Sequence, residues 1–170
     1  SIDESVEMLS LMKENSVHSV VATPHFYAND EDIDSFLERR NSSFNLLKDK
    51  MNDSPQIYLG AEVKFYNGIS RLKDLKKLRI ESCNLLLLEM PFNRWTEYDV
   101  KEVIDIAGLG NITVVLAHIE RYLSMQKQSV IQRMLDNGIL FQSNASFFKN
   151  FSTKHKSIKM LKNNQIHFLG

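Results

Sequence analysis

Two hydrophobic periods alternate along the chain, and the alternation predicts its elements. Ile2, Val6, Leu9 and Met12 recur at the spacing of a helix with one apolar face, and Ser1-x-x-Glu4 supplies the residue types of a capping box at its start. Ser19-Val20-Val21-Ala22 follows as a short buried strand, ending at Thr23-Pro24-His25. After Asn29-Asp30, the series Ile33, Phe36, Leu37, Phe44, Leu47, Met51 predicts a second, long helix. Ile57-Tyr58-Leu59 reads as a strand running into Gly60-Ala61-Glu62, and Leu85 to Leu88 as a strand ending at Glu89-Met90-Pro91. Val100, Val103, Ile104 and Ala107 mark a helix stopped at Gly108, and Ile112 to Ala117 a strand ending at His118. Val130, Ile131, Met134 and Leu135 mark a helix stopped at Gly138, before the strand Ile139 to Gln142, which ends near Asn144. Ile158 and Leu161 belong to a last helix, and Ile166 to Leu169 begin a last strand.

Near-continuous apolar strands between amphipathic helices indicate a parallel sheet covered by helices. The whole of 1–170 reads as a single domain, since no linker or low-complexity stretch interrupts it. With 43% hydrophobic and 25% charged residues, and only six glycines and three prolines, the composition excludes a disordered chain, a collagen-like repeat and a disulfide scaffold. The longest apolar run is far shorter than the ~20 residues that span a bilayer, so no membrane insertion is expected. No secretory signal opens the chain, and a single cysteine, Cys83, points to a reducing, cytoplasmic setting.

Charge sums to zero, with 21 basic and 21 acidic side chains, but it is unevenly placed. Residues 1–53 are acidic, and residues 149–170 hold five lysines and no acid. A basic end attracts phosphate-bearing partners or forms a solvated helix face. Nothing predicts nucleic-acid binding: Phe147, Phe148 and Phe151 beside lysines read as core and loop, not as a stacking platform.

The chemistry lies where the strands end. Five strands in succession terminate at His25, Glu62, Glu89, His118 and Asn144, at spacings of 37, 27, 29 and 26 residues. Such spacings are close to the roughly 30 residues per strand–helix unit of a (β/α) barrel, whose active site gathers at the carboxyl ends of its strands. Two histidines and two glutamates converging on one mouth make a metal-ligand set. Glu89 directly after four leucines is telling, because an unpaired buried carboxylate is costly and calls for metal, arginine or solvent. Arg121, three residues beyond His118, suits bidentate capture of a phosphoryl group; the alternative is a salt bridge with Glu120 or another neighbouring acid. His18 at a strand start and His155 between lysines read as structural and surface residues. No GxxxxGK, HExxH, GxSxG, CxxC or Cys-x5-Arg pattern is present.

Taken in order, Thr23-Pro24-His25, Gly60-Ala61-Glu62, Leu87-Leu88-Glu89-Met90-Pro91-Phe92, Ala117-His118-Ile119-Glu120-Arg121-Tyr122 and Gln142-Ser143-Asn144-Ala145 resemble the bacterial PHP-superfamily tyrosine phosphatases of capsule and exopolysaccharide loci. The resemblance covers essentially the whole chain. It implies a distorted (β/α)7 TIM-like barrel, a cluster of two or three metal ions (usually manganese, with iron, zinc or magnesium as alternatives), and hydrolysis of phosphotyrosine on a bacterial tyrosine kinase. Carried over by position, His25, Glu62, Glu89 and His118 are the expected metal ligands, and Arg121 the arginine that contacts phosphate. The Asp-x-His-x-His and Ser-Asp-x-His motifs of that family do not occur here, so the expected barrel lacks its first strand and its last ligand segment. Two other readings stand beside this one. The chain is then another PHP phosphoesterase, such as one acting on histidinol phosphate, or a catalytically dead PHP-like module that binds a partner.

Overall fold

A computed structural model describes residues 1–51, 54–149 and 153–170; Phe151 lies outside them. Ser1 caps α1 (Ile2–Glu14): its hydroxyl accepts the Glu4 amide at 3.3 Å, and its amino group donates to the Glu4 carboxylate at 2.5 Å. The other helices are α2 (Ile33–Lys48), α3 (Glu97–Ala107), α4 (Gln128–Asp136), the short α5 (Ser146–Lys149) and α6 (Lys154–Lys162). Between them run β1 (Ser19–Ala22), β2 (His25–Phe26), β3 (Gln56–Leu59), β4 (Glu62–Lys64), β5 (Leu85–Glu89), β6 (Thr113–Leu116), β7 (Leu140–Ser143) and β8 (Phe168–Leu169).

Every strand pairing is parallel. Strands β1 and β3 pair as one ladder, and the rest follow the order β2-β4-β5-β6-β7-β8. The two ladders are one interrupted pairing. Ser19 faces Gln56 and His25 faces Glu62, the same offset of 37 residues, and the Gly60 and Glu62 amides bridge the gap to Ala22 and Pro24 carbonyls at 2.9 and 3.1 Å. Pro24 has no N–H to give to a ladder, so regular pairing stops there and resumes at His25. Consequently His25 and Glu62 open short second strands; the sequence pattern had put them at the ends of the first ones.

The core sits between the helices and one face of the sheet. Val100, Val103 and Ile106 of α3 and Ile131 and Met134 of α4 pack with Leu86, Leu88, Val114, Leu116 and Phe141. Full burial of each such side chain contributes about 1.5–3 kcal/mol. Two 3-10 turns, Ile69–Arg71 and Leu75–Leu78, connect β4 to β5 and bury Ile69, Leu75 and Leu78.

Two expectations change. Ser19–Ala22 is not a buried strand: Val21 is 45% exposed. Met51 lies beyond α2, which stops at Lys48. In α6 the buried positions are Ser157 and Met160, whereas Ile158 and Leu161 face outward. The longer ladder pairs its strands in chain order, and it does not close on itself among the described residues. No helix of these residues is long and apolar enough to cross a membrane.

Candidate metal centre

Side chains two apart on a strand share a face. Leu86 and Leu88 therefore point to the helices, while Leu85, Leu87 and Glu89 point to the other side. There Leu85 and Leu87 line, with Val21, Tyr58 and Val115, an apolar trough of about 560 Å³ that Glu62 and His118 also border. On β4, buried Val63 faces the core, so Glu62 and Lys64 share the trough side; Lys64 stands in register with Glu89.

His118 reaches this side by breaking the alternation. Val115 faces the trough, so an extended residue 118 would point to the helices. Instead His118 adopts a left-handed conformation, φ 45° and ψ 46°, at a cost of about 1–2 kcal/mol. Its amide donates to Gln142 Oε1 at 2.7 Å, which fixes the turn.

His25, Glu62 and Glu89 then bring one potential ligand atom each within 4.8 Å of one another. His25 Nε2 lies 3.6 Å from Glu62 Oε1 and 3.9 Å from Glu89 Oε2. Its ring stacks on Tyr27, with centroids 5.7 Å apart. His118 stands beside this triad, its Nε2 at 2.7 Å from Glu62 Oε1. Burial pushes the Glu62 carboxyl pKa up, but the His118 hydrogen bond and the charges of His118, His25 and Arg121 outweigh it and hold the group below its ordinary value.

Arg121 Nη1 lies 3.6 Å from Glu89 Oε1, so the acid that faces the guanidinium is Glu89. Glu120 instead accepts the Asn144 amide at 3.3 Å. Asn144 stays out of the cluster, its side chain accepting from Gln142 Nε2 at 3.3 Å. His18 is exposed at a strand start, His155 is exposed on α6, and His167 Nδ1 accepts the Phe141 amide at 3.0 Å, remote from the cluster.

One residue escaped the sequence pattern. Lys64 donates to Glu89 Oε2 at 3.0 Å. The signal was available: two residues after Glu62 in a strand means the same face.

The donor set suits a divalent cation: two carboxylates and two imidazoles, nitrogen and oxygen ligands that manganese, iron, zinc and magnesium accept in different degrees. His118 Nδ1 adds an independent sign. It is buried and has no hydrogen-bond partner among the described residues, which is unusual for a native imidazole.

The family model for capsular polysaccharide synthesis, CpsB/CapC, matches residues 1–170. The chain belongs to the CpsB/CapC family. Among CpsB/CapC-like proteins, the tyrosine-protein phosphatase CpsB of Streptococcus agalactiae serotype III is 26% identical over 188 residues, covering 100% of this chain and 74% of that one. Its counterpart from serotype V is 25% identical over the same extent. A solved structure from a study of YwqE from Bacillus subtilis and CpsB from Streptococcus pneumoniae, described as unique metal-dependent tyrosine phosphatases, superposes with a TM-score of 0.77. It is 20% identical in sequence, and the match covers all of this chain and 71% of that one. This shared fold agrees with the parallel sheet.

Proposed function

We propose that this chain is a metal-dependent phosphatase that hydrolyses phosphotyrosine in the control of capsular polysaccharide synthesis. The observation that carries this reading is the cluster itself: His25, Glu62 and Glu89 within 4.8 Å of one another, with Arg121 at 3.6 Å from Glu89. We read the sheet as a wall of a distorted (β/α)7 barrel, and its residues 1–170 as one PHP-like domain. Membership of the CpsB/CapC family and the names of its relatives support the substrate class; a phosphotyrosine-bearing bacterial tyrosine kinase is the partner we propose, in the cytoplasm.

His25, Glu62, Glu89 and His118 would hold the cation, with manganese as the proposed metal. The chemistry that a divalent ion would supply there is activation of water near neutral pH and neutralisation of phosphoryl charge. The chain's own part is electrostatic and positional. Glu62, whose carboxyl is held below its ordinary pKa by His118, His25 and Arg121, is an anionic ligand at neutral pH. Arg121 cannot act as a base, because a guanidinium does not give up its proton near neutral pH. Its planar donor pair suits two equatorial phosphoryl oxygens, where charge gathers as the bond to the tyrosyl oxygen breaks. Attack by water needs no enzyme nucleophile, which suits a chain whose single cysteine is exposed and outside the cluster.

The test is hydrolysis of an aryl phosphate and a phosphotyrosine peptide with and without Mn²⁺. Arg121→Ala is expected to lower kcat about 100-fold, the scale of removing one preorganised donor, while leaving Mn²⁺ stoichiometry unchanged. A folded protein that takes up Mn²⁺ and hydrolyses neither substrate would point to a binding module instead.

A further inference from the structure

Glu89 is held by more positive charge than a structural carboxylate requires. Arg121 Nη1 stands 3.6 Å from one of its oxygens and Lys64 Nζ 3.0 Å from the other, with His25 Nε2 at 3.9 Å. Burial alone explains one counter-ion, since an unpaired carboxylate in a half-enclosed site is costly. It does not explain two, one from β4 and one from the turn after β6. Lys64 is also more exposed than the carboxylate it holds. Its side chain is 36% exposed while the Glu89 side chain is 13% exposed, so the ammonium lies at the open side of the pair. An ammonium on a four-carbon stem is a point charge with three donors and can turn to a new acceptor without losing geometry.

The charge count gives the exchange a purpose. Glu62 and Glu89 carry two negative charges, and Lys64 and Arg121 two positive ones. A divalent cation on the carboxylates leaves the mouth with two excess positive charges. A phosphate monoester brings nearly two negative charges at neutral pH. The same cations that balance the carboxylates thus balance the substrate once metal occupies the carboxylates.

We propose that Lys64 is a phosphate-binding residue that exchanges partners: a divalent cation and the Lys64 ammonium compete for Glu89, and the displaced ammonium takes a phosphoryl oxygen on the side of the site opposite Arg121. The exchange rests on the phosphatase reading above and assigns Lys64 a role in positioning its substrate. It moves no covalent bond. Lys64 contributes a hydrogen bond and a charge, so its effect falls on binding of the phosphoryl group rather than on the chemical step.

The experiment uses the full chain as wild type, Lys64→Met and Lys64→Arg, with calorimetric titration by Mn²⁺ alone and then by inorganic phosphate on Mn²⁺-loaded protein. Lys64→Met keeps the stem and removes the charge. Its Mn²⁺ affinity is expected to rise about threefold, the scale of a part-exposed ion pair. Its phosphate affinity is expected to fall about tenfold, the scale of one charged hydrogen bond. Lys64→Arg is expected to restore phosphate binding to within about threefold of wild type. Weaker or unchanged Mn²⁺ binding in Lys64→Met shows that Lys64 merely orients Glu89, and unchanged phosphate affinity shows that it never reaches the ligand; either result overturns the proposal. Wild-type protein that binds Mn²⁺ and phosphate as expected, yet cleaves no aryl phosphate, sinks the phosphatase reading and leaves the exchange standing.

Discussion

Tyr122→Phe removes one oxygen atom from beneath the segment that follows Glu89, and its cost can be worked from the structure. The Tyr122 ring is 1% exposed, and its hydroxyl donates to the Met90 carbonyl at 2.9 Å, immediately after Glu89. Met90 is itself 1% exposed, so water has no ready path to the carbonyl when the donor goes. A net hydrogen bond contributes about 1 kcal/mol, and an unsatisfied buried acceptor adds its desolvation cost, giving a total of about 2 kcal/mol. For a domain of this length that is a fall of about 4–8 °C in Tm. The ring contacts with Trp95 and Phe92, at centroid distances of 5.3 and 6.3 Å, survive the substitution. Tyr122→Leu, which loses them too, is expected to cost about 1–2 kcal/mol more.

Urea unfolding measures both variants, with an unchanged slope confirming that only stability has moved. Burial pushes the Tyr122 phenol pKa far up, with the negative charge of Glu89 adding to it, so the hydroxyl remains a donor throughout the working range. The Tyr122→Phe difference should therefore be flat from pH 6 to pH 9. A loss under about 0.5 kcal/mol would refute the reasoning, because surface substitutions alone reach that size.

Two further outcomes test the frame around the site. Glu102 is buried on α3 and accepts the Ser70 amide at 3.1 Å; burial pushes its pKa up, but the Ser70 hydrogen bond helps to hold it below its ordinary value. A depressed folded-state pKa adds stability above the unfolded value of about 4.3, lost as pH falls through the folded one. Glu102→Gln should thus cost about 1–2 kcal/mol at pH 7 and progressively less below pH 4, read from urea midpoints; a gap that widens in acid contradicts the assignment. At Gly60, an added Cβ would stand 3.0 Å from Ile80 Cγ1 and 3.2 Å from Thr23 Cγ2, with the Ile80 backbone just behind at 3.4 Å. Gly60→Ala is expected to cost about 1–3 kcal/mol by overpacking and to weaken Mn²⁺ binding by shifting Glu62; normal stability and affinity would show that the strand yields.

Much of the fold was legible because strand and helix impose different periods on the same residue types. Leu85 to Leu88 and Ile112 to Ala117 mark strands that the structure forms at β5 and β6, and the series ending at Ala107 stops at Gly108 as the pattern requires. The convergence of His25, Glu62 and Glu89 was legible for a related reason. Parallel strands put their carboxyl ends at one edge, so spacing along the chain translates into proximity in space. Exposure of Val21 was not legible, because apolar residues in a short strand look alike whether a neighbour covers them or not.

The harder failures concern direction. Spacing locates a residue at a strand end but does not say which face it takes, and at this site that distinction separates ligands from packing. Pro24 interrupts the ladder just before His25, and Gly60-Ala61 lie in the matching gap before Glu62, so both residues restart strands whose alternation is independent of what precedes them. His118 faces Glu62 only because its backbone turns left-handed, a conformation that histidine adopts at a cost and that no period encodes. Lys64 is the converse case. Its face follows from Glu62 by simple alternation, but its partner follows from the register of β4 against β5, which pairs Lys64 with Glu89 and depends on the two turns between them. A residue type with ordinary surface uses therefore acquired a place in the site through long-range pairing alone. The most informative positions here are those where the backbone departs from its local period, and they are also where the candidate ligands stand.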